Sequence, residues 1–285
     1  MRPSETLRRI CEDYTRIYGD DRIPVTFDSQ PRITEEGDEI FVWNDPSTAL
    51  GLDLSGPNEF RVIRDTVNHE VAHALWSDLS VKRRIAETFP AHSRLAGTVA
   101  NILEDAYIDA RRVREWPGLR RPRSFFVRSQ MDAAADISDR DTAPALMLGL
   151  HQIAISGRAN GVEDADPEVV SFLAWVRRYI AAVRDEDDTE ARAMLTHHVV
   201  ETLIDHLPPR PDIDDVLDEI ESIVDDGNSR GGKPFEFDDE DIDDLRGDHE
   251  LPDAPDDDGD GDGDHGRDVS ELLAGHDPGD VKVTN

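Results

Sequence analysis

The sequence has one cysteine among 285 residues, and aromatic residues make up only 6% of it. Because Cys11 is alone, the chain can form no internal disulfide and no thiolate zinc site, so a metal would have to be held by His, Asp or Glu. No run approaches the roughly eighteen apolar residues that a membrane span needs, and the N-terminus lacks a signal-peptide pattern. We therefore expect a cytoplasmic protein without a membrane segment.

Positive charge is also scarce. Lys and Arg number 31 against 64 Asp and Glu, which gives a formal net charge of -33. Such an excess of carboxylates repels phosphate backbones, so nucleic acid is not expected as a partner. Acidic compositions with few lysines are typical of proteins that work in molar salt, where ions screen the repulsion. We therefore expect a halophilic protein.

Acidic residues and glycines concentrate at the C-terminal end. Residues 227–285 contain almost no large apolar side chains and cannot bury enough surface to fold, so an acidic, disordered tail is expected there. Residues 1–226 are expected to form the folded domain. Within it, residues 1–56 should hold a helix and a small sheet, residues 57–115 the long helices, and residues 116–226 a helical subdomain.

Hydrophobic periodicity predicts an α+β fold with a small N-terminal sheet and a mainly helical C-terminal half. The spacing favours a first helix over 4–18, a strand at 24–27, a hairpin over 32–44 and a further short strand at 51–54. Pro57 is a typical first helical residue, and this helix should run to about residue 79. A second long helix is expected from about 92 to 114, and three or four helices between 142 and 225.

Residues 68–73 read Asn-His-Glu-Val-Ala-His, which places His-Glu-x-x-His in the middle of the predicted helix. Residues four apart lie one turn above each other, so the imidazoles of His69 and His73 can reach one ion. Glu70 lies about 100° around the helix, beside the open coordination position, where a base for the metal-bound water is needed. The pattern predicts catalytic zinc with Glu70 as the base. The alternative is that both histidines are ordinary helix residues.

A catalytic zinc needs a third protein ligand and keeps a fourth position for water. Glu104 is the predicted third ligand, because it lies among apolar residues of the next long helix, where burying a carboxylate is costly without a cation. Asp105 and Asn101 are predicted to orient the ligands, with Asp105 the first choice. The alternative is that Glu104, Asp105 and Asp109 form a solvated face paired with arginines.

The segment HEVAH, followed by a helix bearing NILEDAYID, resembles the gluzincin group of zinc metallopeptidases. More narrowly, it is similar to the metallopeptidase-like domains that precede von Willebrand A domains, which are distantly akin to the cobaltochelatase T subunit. The resemblance covers about residues 50–115. It implies a zincin-like active-site helix, Zn2+ bound by His69, His73 and Glu104, and catalysis by Glu70 on a peptide or protein substrate.

The resemblance leaves two functions open. The first is a zinc-dependent metallopeptidase. The alternative is a non-catalytic zinc-binding scaffold or a partner subunit of an AAA+ ATPase, since longer proteins of this kind commonly work with such an ATPase. The chain has no Asp-x-Ser-x-Ser run, so a von Willebrand A domain is not expected. His151, Tyr107 and the arginines around Arg123 are candidates for stabilising an oxyanion, and the sequence does not choose among them.

Overall fold

The computed structural model describes residues 5–19, 22–34, 37–50, 54 and 57–207. Within these ranges the chain forms a small sheet near the N-terminus followed by packed helices, which confirms the α+β class. The predicted tail over 227–285 and the domain boundary at 226 lie outside the described residues. So does nearly all of the further strand predicted at 51–54.

Three short strands form the sheet: β1 (Val25–Asp28), β2 (Arg32–Ile33) and β3 (Ile40–Trp43). The middle strand, β3, pairs antiparallel with β2 across the predicted hairpin and parallel with β1. Gly37 turns the hairpin with φ at 73°, a left-handed conformation that glycine adopts without strain. Val25, Ile40 and Val42 are buried and turn one face of the sheet towards the helices.

The described α-helices are α1 (Glu5–Gly19), α2 (Pro46–Leu50), α3 (Pro57–Trp76), α4 (Leu79–Thr88), α5 (Ser93–Glu115), α6 (Arg120–Ala133), α7 (Thr142–Ser156), α8 (Pro167–Asp185) and α9 (Thr189–His206). The predicted helices at 4–18, 57–79 and 92–114 correspond to α1, α3 and α5. The predicted helical second half is present as α7, α8 and α9. The sequence patterns give no helix bounds for α2, α4 or α6, although α6 lies within the helical subdomain expected at 116–226.

Helix α3 joins the sheet to the helical part of the molecule. Its buried residues Ile63, Val67 and Val71 pack with Cys11 of α1 and with the sheet. The helix ends at Trp76, slightly earlier than predicted. The reason lies in the next turn, where Asp78 caps α4 by accepting the backbone N–H of Ser80 at 3.0 Å.

Helix α5 lies at the centre of the helical part. It packs against α3, α4, α7, α8 and α9, and buries Leu95, Val99, Leu103 and Ala106 in the main apolar core. Full burial of a large aliphatic side chain contributes about 1.5–3 kcal/mol, so these contacts fix the rotation of α5 about its axis. In the described residues no helix is both long and apolar enough to cross a membrane.

Candidate metal centre

The two histidines of α3 face each other across one turn of helix. The Nε2 atoms of His69 and His73 lie 3.0 Å apart, and their rings meet edge to face with centroids 4.6 Å apart. Both side chains are partly buried between α3 and α5, at 21% and 11% exposure. The helical spacing therefore brings one nitrogen of each imidazole to a common point, as predicted.

Asp105 of α5 completes a group of three at that point. Its Oδ1 atom lies 3.0 Å from His73 Nε2 and 3.6 Å from His69 Nε2. Among the residues that the structure describes, His69, His73 and Asp105 form the group that could hold a metal ion. The ligand atoms that they offer all lie within 4.8 Å of one another. A two-imidazole, one-carboxylate set is therefore present between α3 and α5.

Glu104, the predicted third ligand, lies outside this group. Its Oε2 atom is 3.5 Å from Nε of Arg192 on α9, close enough for an ion pair although no hydrogen bond forms. Successive helix residues point about 100° apart, so the rotation that aims Asp105 at α3 turns Glu104 towards α9. Asp105, which is expected behind the ligands, therefore lies where Glu104 is expected, and Glu104 faces away from the histidines.

Neighbouring charges shift the pKa of two members of the cluster, His69 and Asp105. Burial by itself would lower the pKa of His69, but the carboxylates of Asp109 and Asp105 outweigh it and raise this pKa to about 10. Burial would likewise raise the pKa of Asp105, and its hydrogen bonds with His69 and His73 hold it well below the usual range instead. These shifts show that the carboxylates favour a positive charge at this position. A divalent cation would supply such a charge.

A second layer of hydrogen bonds orients the three side chains. Asp109 Oδ1 lies 3.0 Å from Nδ1 of His69, and Ser77 Oγ lies 2.8 Å from Nδ1 of His73. Asn101 donates from Nδ2 to the second oxygen of Asp105 at 3.1 Å. The carboxylate of Asp109 can only accept, so it places a ring proton of His69 on Nδ1 and directs Nε2 to the metal position, and the Ser77 hydroxyl is able to accept from His73 in the same way. Asn101 thus contacts this layer as predicted, while Asp109 holds the position expected for Asp105.

Glu70 is buried beside the two histidines, with 5% of its surface exposed. Burial raises the pKa of its carboxyl group, and the neighbouring charges of His69 and His73 offset part of that rise. A carboxylate whose pKa is raised towards the working pH is a better proton acceptor than one at the ordinary value. The environment of Glu70 therefore suits the predicted role of base.

Behind the histidines lies a buried group of four charged side chains, which we call the ion-pair square: Asp65, Asp109, Arg112 and Arg123. Arg112 is fully buried and binds both carboxylate oxygens of Asp65 at 2.9 and 3.0 Å. It also donates from Nε to Asp109 Oδ1 at 2.8 Å. Arg123 of α6 pairs with Asp109 Oδ2 and lies 3.8 Å from Asp65 Oδ2. Two arginines thus neutralise two aspartates out of water.

The candidates for oxyanion stabilisation separate in the structure. Tyr107 is buried under Arg192 and shares its hydroxyl with Asp187 and Arg111, away from the histidine pair. Arg123 pairs with Asp109 in the ion-pair square. His151 of α7 is the candidate that interacts electrostatically with Asp105, and burial lowers its pKa, which favours the neutral ring.

A narrow concavity opens beside the histidine pair. It lies between α3, α4, α5 and α9 and is lined by His73, Asp78, Val81, Lys82, Ala100, Asn101, Glu104, Thr189, Arg192, Ala193 and Thr196. Lys82 donates to Asn101 Oδ1 at 3.0 Å, which extends the hydrogen-bond chain from Asp105 to the surface. Of the three clustered residues, His73 is the one that lines this concavity.

Comparison with protein-family models, with curated proteins and with solved structures finds no match for this chain. The assignment of its function therefore rests on the residues and geometry of the centre.

Proposed function

We propose that the protein is a zinc-dependent hydrolase of peptide bonds, in which His69, His73 and Asp105 hold the ion and Glu70 is the general base. The observation that carries this proposal is the meeting of two imidazole nitrogens and one carboxylate oxygen, with separations of 3.0, 3.0 and 3.6 Å. These ligands replace the predicted set, with Asp105 in the place of Glu104.

The separations fit a tetrahedral ion. Zinc binds histidine nitrogen and carboxylate oxygen at about 2.0–2.1 Å, which places neighbouring ligand atoms about 3.3 Å apart. Three protein ligands leave one tetrahedral position for water, as catalytic zinc sites require. Each Nδ1 atom lies beside an oxygen that is able to accept its proton, Asp109 for His69 and Ser77 for His73, which suits neutral rings that bind metal through Nε2. The donor set and its spacing therefore suit zinc.

Two histidines and one carboxylate also suit ferrous iron, so the choice of chemistry depends on the neighbouring residues. Glu70 distinguishes the two, because a buried carboxylate beside the ligands serves hydrolysis by accepting a proton. Oxygen activation has no comparable need for it. The position of Glu70 therefore favours a hydrolytic centre.

When bound, zinc supplies a Lewis acid that lowers the pKa of a water molecule and polarises the scissile carbonyl. Glu70 accepts a proton from the attacking water on a carboxylate oxygen and delivers it to the leaving amine. Asp109 holds His69 with its Nδ1 proton directed away from the site. Asn101 holds Asp105 through the carboxylate oxygen that does not face the histidines.

The test is substitution of Glu70 by Gln in the zinc-loaded full chain, assayed on casein and on a peptide library in molar KCl. Zinc content should stay at the wild-type level, whereas hydrolysis should fall by about 10²–10⁴-fold because the proton acceptor is lost. Glu87→Gln, an exposed position on α4, is the matched control and should change neither quantity.

Two results would contradict the proposal. A Glu70→Gln variant with wild-type activity would remove Glu70 as the base. A wild-type protein that binds zinc but cleaves none of the substrates would support the non-catalytic scaffold instead. Partnership with an AAA+ ATPase stays a prediction, and copurification of an ATPase with the full chain would test it.

A further inference from the structure

The ion-pair square connects three helices at the back of the metal centre. Asp65 comes from α3, Asp109 and Arg112 from α5, and Arg123 from α6. All four side chains are at most 13% exposed, and the two positive charges balance the two negative ones. Removing one partner from such a group leaves an uncompensated charge out of water.

Asp109 is the member that contacts a proposed metal ligand. Its Oδ1 atom accepts from Arg112 Nε and faces His69 Nδ1, while its Oδ2 atom pairs with Arg123. The carboxylate is therefore held at both oxygens, which fixes the plane of the group. Since His69 Nδ1 bonds to that carboxylate, its orientation determines where His69 Nε2 points.

The two arginines contribute differently. Arg112 binds Asp65 through both of its terminal nitrogens, so it joins α3 to α5 without help from α6. Arg123 lies 3.8 Å from Asp65, beyond hydrogen-bond reach, and its close partner is Asp109 Oδ2. Loss of Arg123 would leave the bridge between α3 and α5 in place while freeing one oxygen of Asp109.

We infer that Arg123 is a positioning residue for the metal centre, acting through Asp109 on His69, although it lies on a different helix from every proposed ligand. This inference rests on the proposed metal site. It makes the docking of α6 a determinant of metal affinity. Partners one step behind a ligand typically change metal affinity by 10–100-fold, and Arg123 stands one step further back, so an effect near the lower limit is expected.

Cobalt(II) titration of the full chain tests this, because cobalt replaces zinc and reports ligand geometry through its visible absorption. Arg123→Gln, which keeps much of the side-chain volume but loses the charge, should weaken cobalt affinity about tenfold and change the spectrum. Arg123→Lys should recover part of the affinity by returning a cation to Asp109. Arg121→Ala, an exposed arginine on the same helix, is the control and should behave like the wild type.

The path through Asp109 is tested by combining variants. In an Asp109→Asn background, Arg123→Gln should cause little further loss, whereas independent action would make the two losses multiply. Multiplying losses, or wild-type affinity and spectrum in Arg123→Gln, would overturn the inference. If Arg123→Gln does not fold by circular dichroism, Arg123→Met supplies the same comparison with an apolar side chain. Failure of the wild type to bind cobalt or zinc would instead overturn the proposed function.

Discussion

Glu104 and Asp105 are adjacent acids of α5 that face different neighbouring helices. Asp105 meets the histidines of α3, whereas Glu104 meets Arg192 of α9. The Oε1 atom of Glu104 is buried without a hydrogen-bond partner among the described residues, so its position is set by the helix and not by an optimal contact. The role of each acid follows from the rotation of α5.

This division gives a direct test of the third ligand. Asp105→Asn should weaken zinc affinity by more than about 100-fold, because it replaces a charged ligand, and this loss should exceed that for a residue behind the ligands. Glu104→Gln, the matched neighbour, should leave affinity within about threefold. Competition with a chromophoric chelator measures both values. The reverse pattern would return the ligand role to Glu104, as the sequence alone predicts.

At the level of single residues, spacing predicts part of the centre. The pattern His-Glu-x-x-His is enough to bring His69 and His73 to one point, because helical geometry alone decides it. The third ligand cannot be predicted in this way, because its identity depends on how α5 is rotated about its axis. That rotation depends on contacts with five other helices. One available signal is the second pair at helical spacing, since Asp105 and Asp109 are four residues apart like the histidines that they face.

At the level of elements, the strongly periodic segments are predictable and the others are not. Helices α1, α3 and α5 show regular apolar stripes and appear where the pattern indicates. The first turn of α6 contains Arg120, Arg121 and Arg123 together with Pro122. This charged start interrupts the apolar periodicity, so the buried residues Phe125 and Met131 do not stand out as a stripe. Arg123 pairs with Asp109 of α5 and lies near Asp65 of α3, so no pattern within α6 identifies it as an interior residue.

The contact between α7 and α8 yields a test of packing. A Cβ atom added to Gly149 of α7 would lie 2.5 Å from Leu173 Cδ1 in the core. Gly149→Ala should therefore lower the free energy of unfolding by about 1–3 kcal/mol in spite of the better helix propensity of alanine. Urea unfolding at constant KCl measures the change.

The same contact provides its own controls. Gly118→Ala places the new methyl group where no atom lies within 4 Å, and should change stability by less than about 0.5 kcal/mol. Leu173→Val added to Gly149→Ala should recover part of the loss, since it removes volume at the point of contact. A Gly149→Ala protein as stable as the wild type would show that the two helices can separate freely.

At the level of the whole molecule, several arginines of the described part form ion pairs and hydrogen bonds within it. Arg114 pairs with Asp185, the last residue of α8, and Arg111 pairs with Asp187 just after it, where Arg192 also binds two backbone carbonyls. The arginine-rich tract at 111–123 is therefore largely paired within the fold. With a net charge of -33, most of the remaining carboxylates can be balanced only by ions from solution.

Salt should consequently stabilise the protein. The screening length falls from about 10 Å at 0.1 M to about 3 Å at 1 M, which weakens repulsion among the carboxylates. Between these concentrations of KCl we expect the free energy of unfolding to rise by about 2 kcal/mol or more, and Tm by about 4–8 °C. Thermal unfolding in sucrose of equal osmolality is the control for excluded-solute effects. A Tm independent of KCl would contradict a halophilic protein.

The rotation of α5 has a consequence for how such a centre can change. A shift of one residue in the alignment of α5 against α3 would bring the longer acid Glu104 to the histidines and Leu103 to the position that faces Arg192, without any change of sequence. What the centre can hold is thus encoded in the register between two helices. A mutation in the apolar core that moves this register would alter metal preference from a distance, with every ligand still in the sequence.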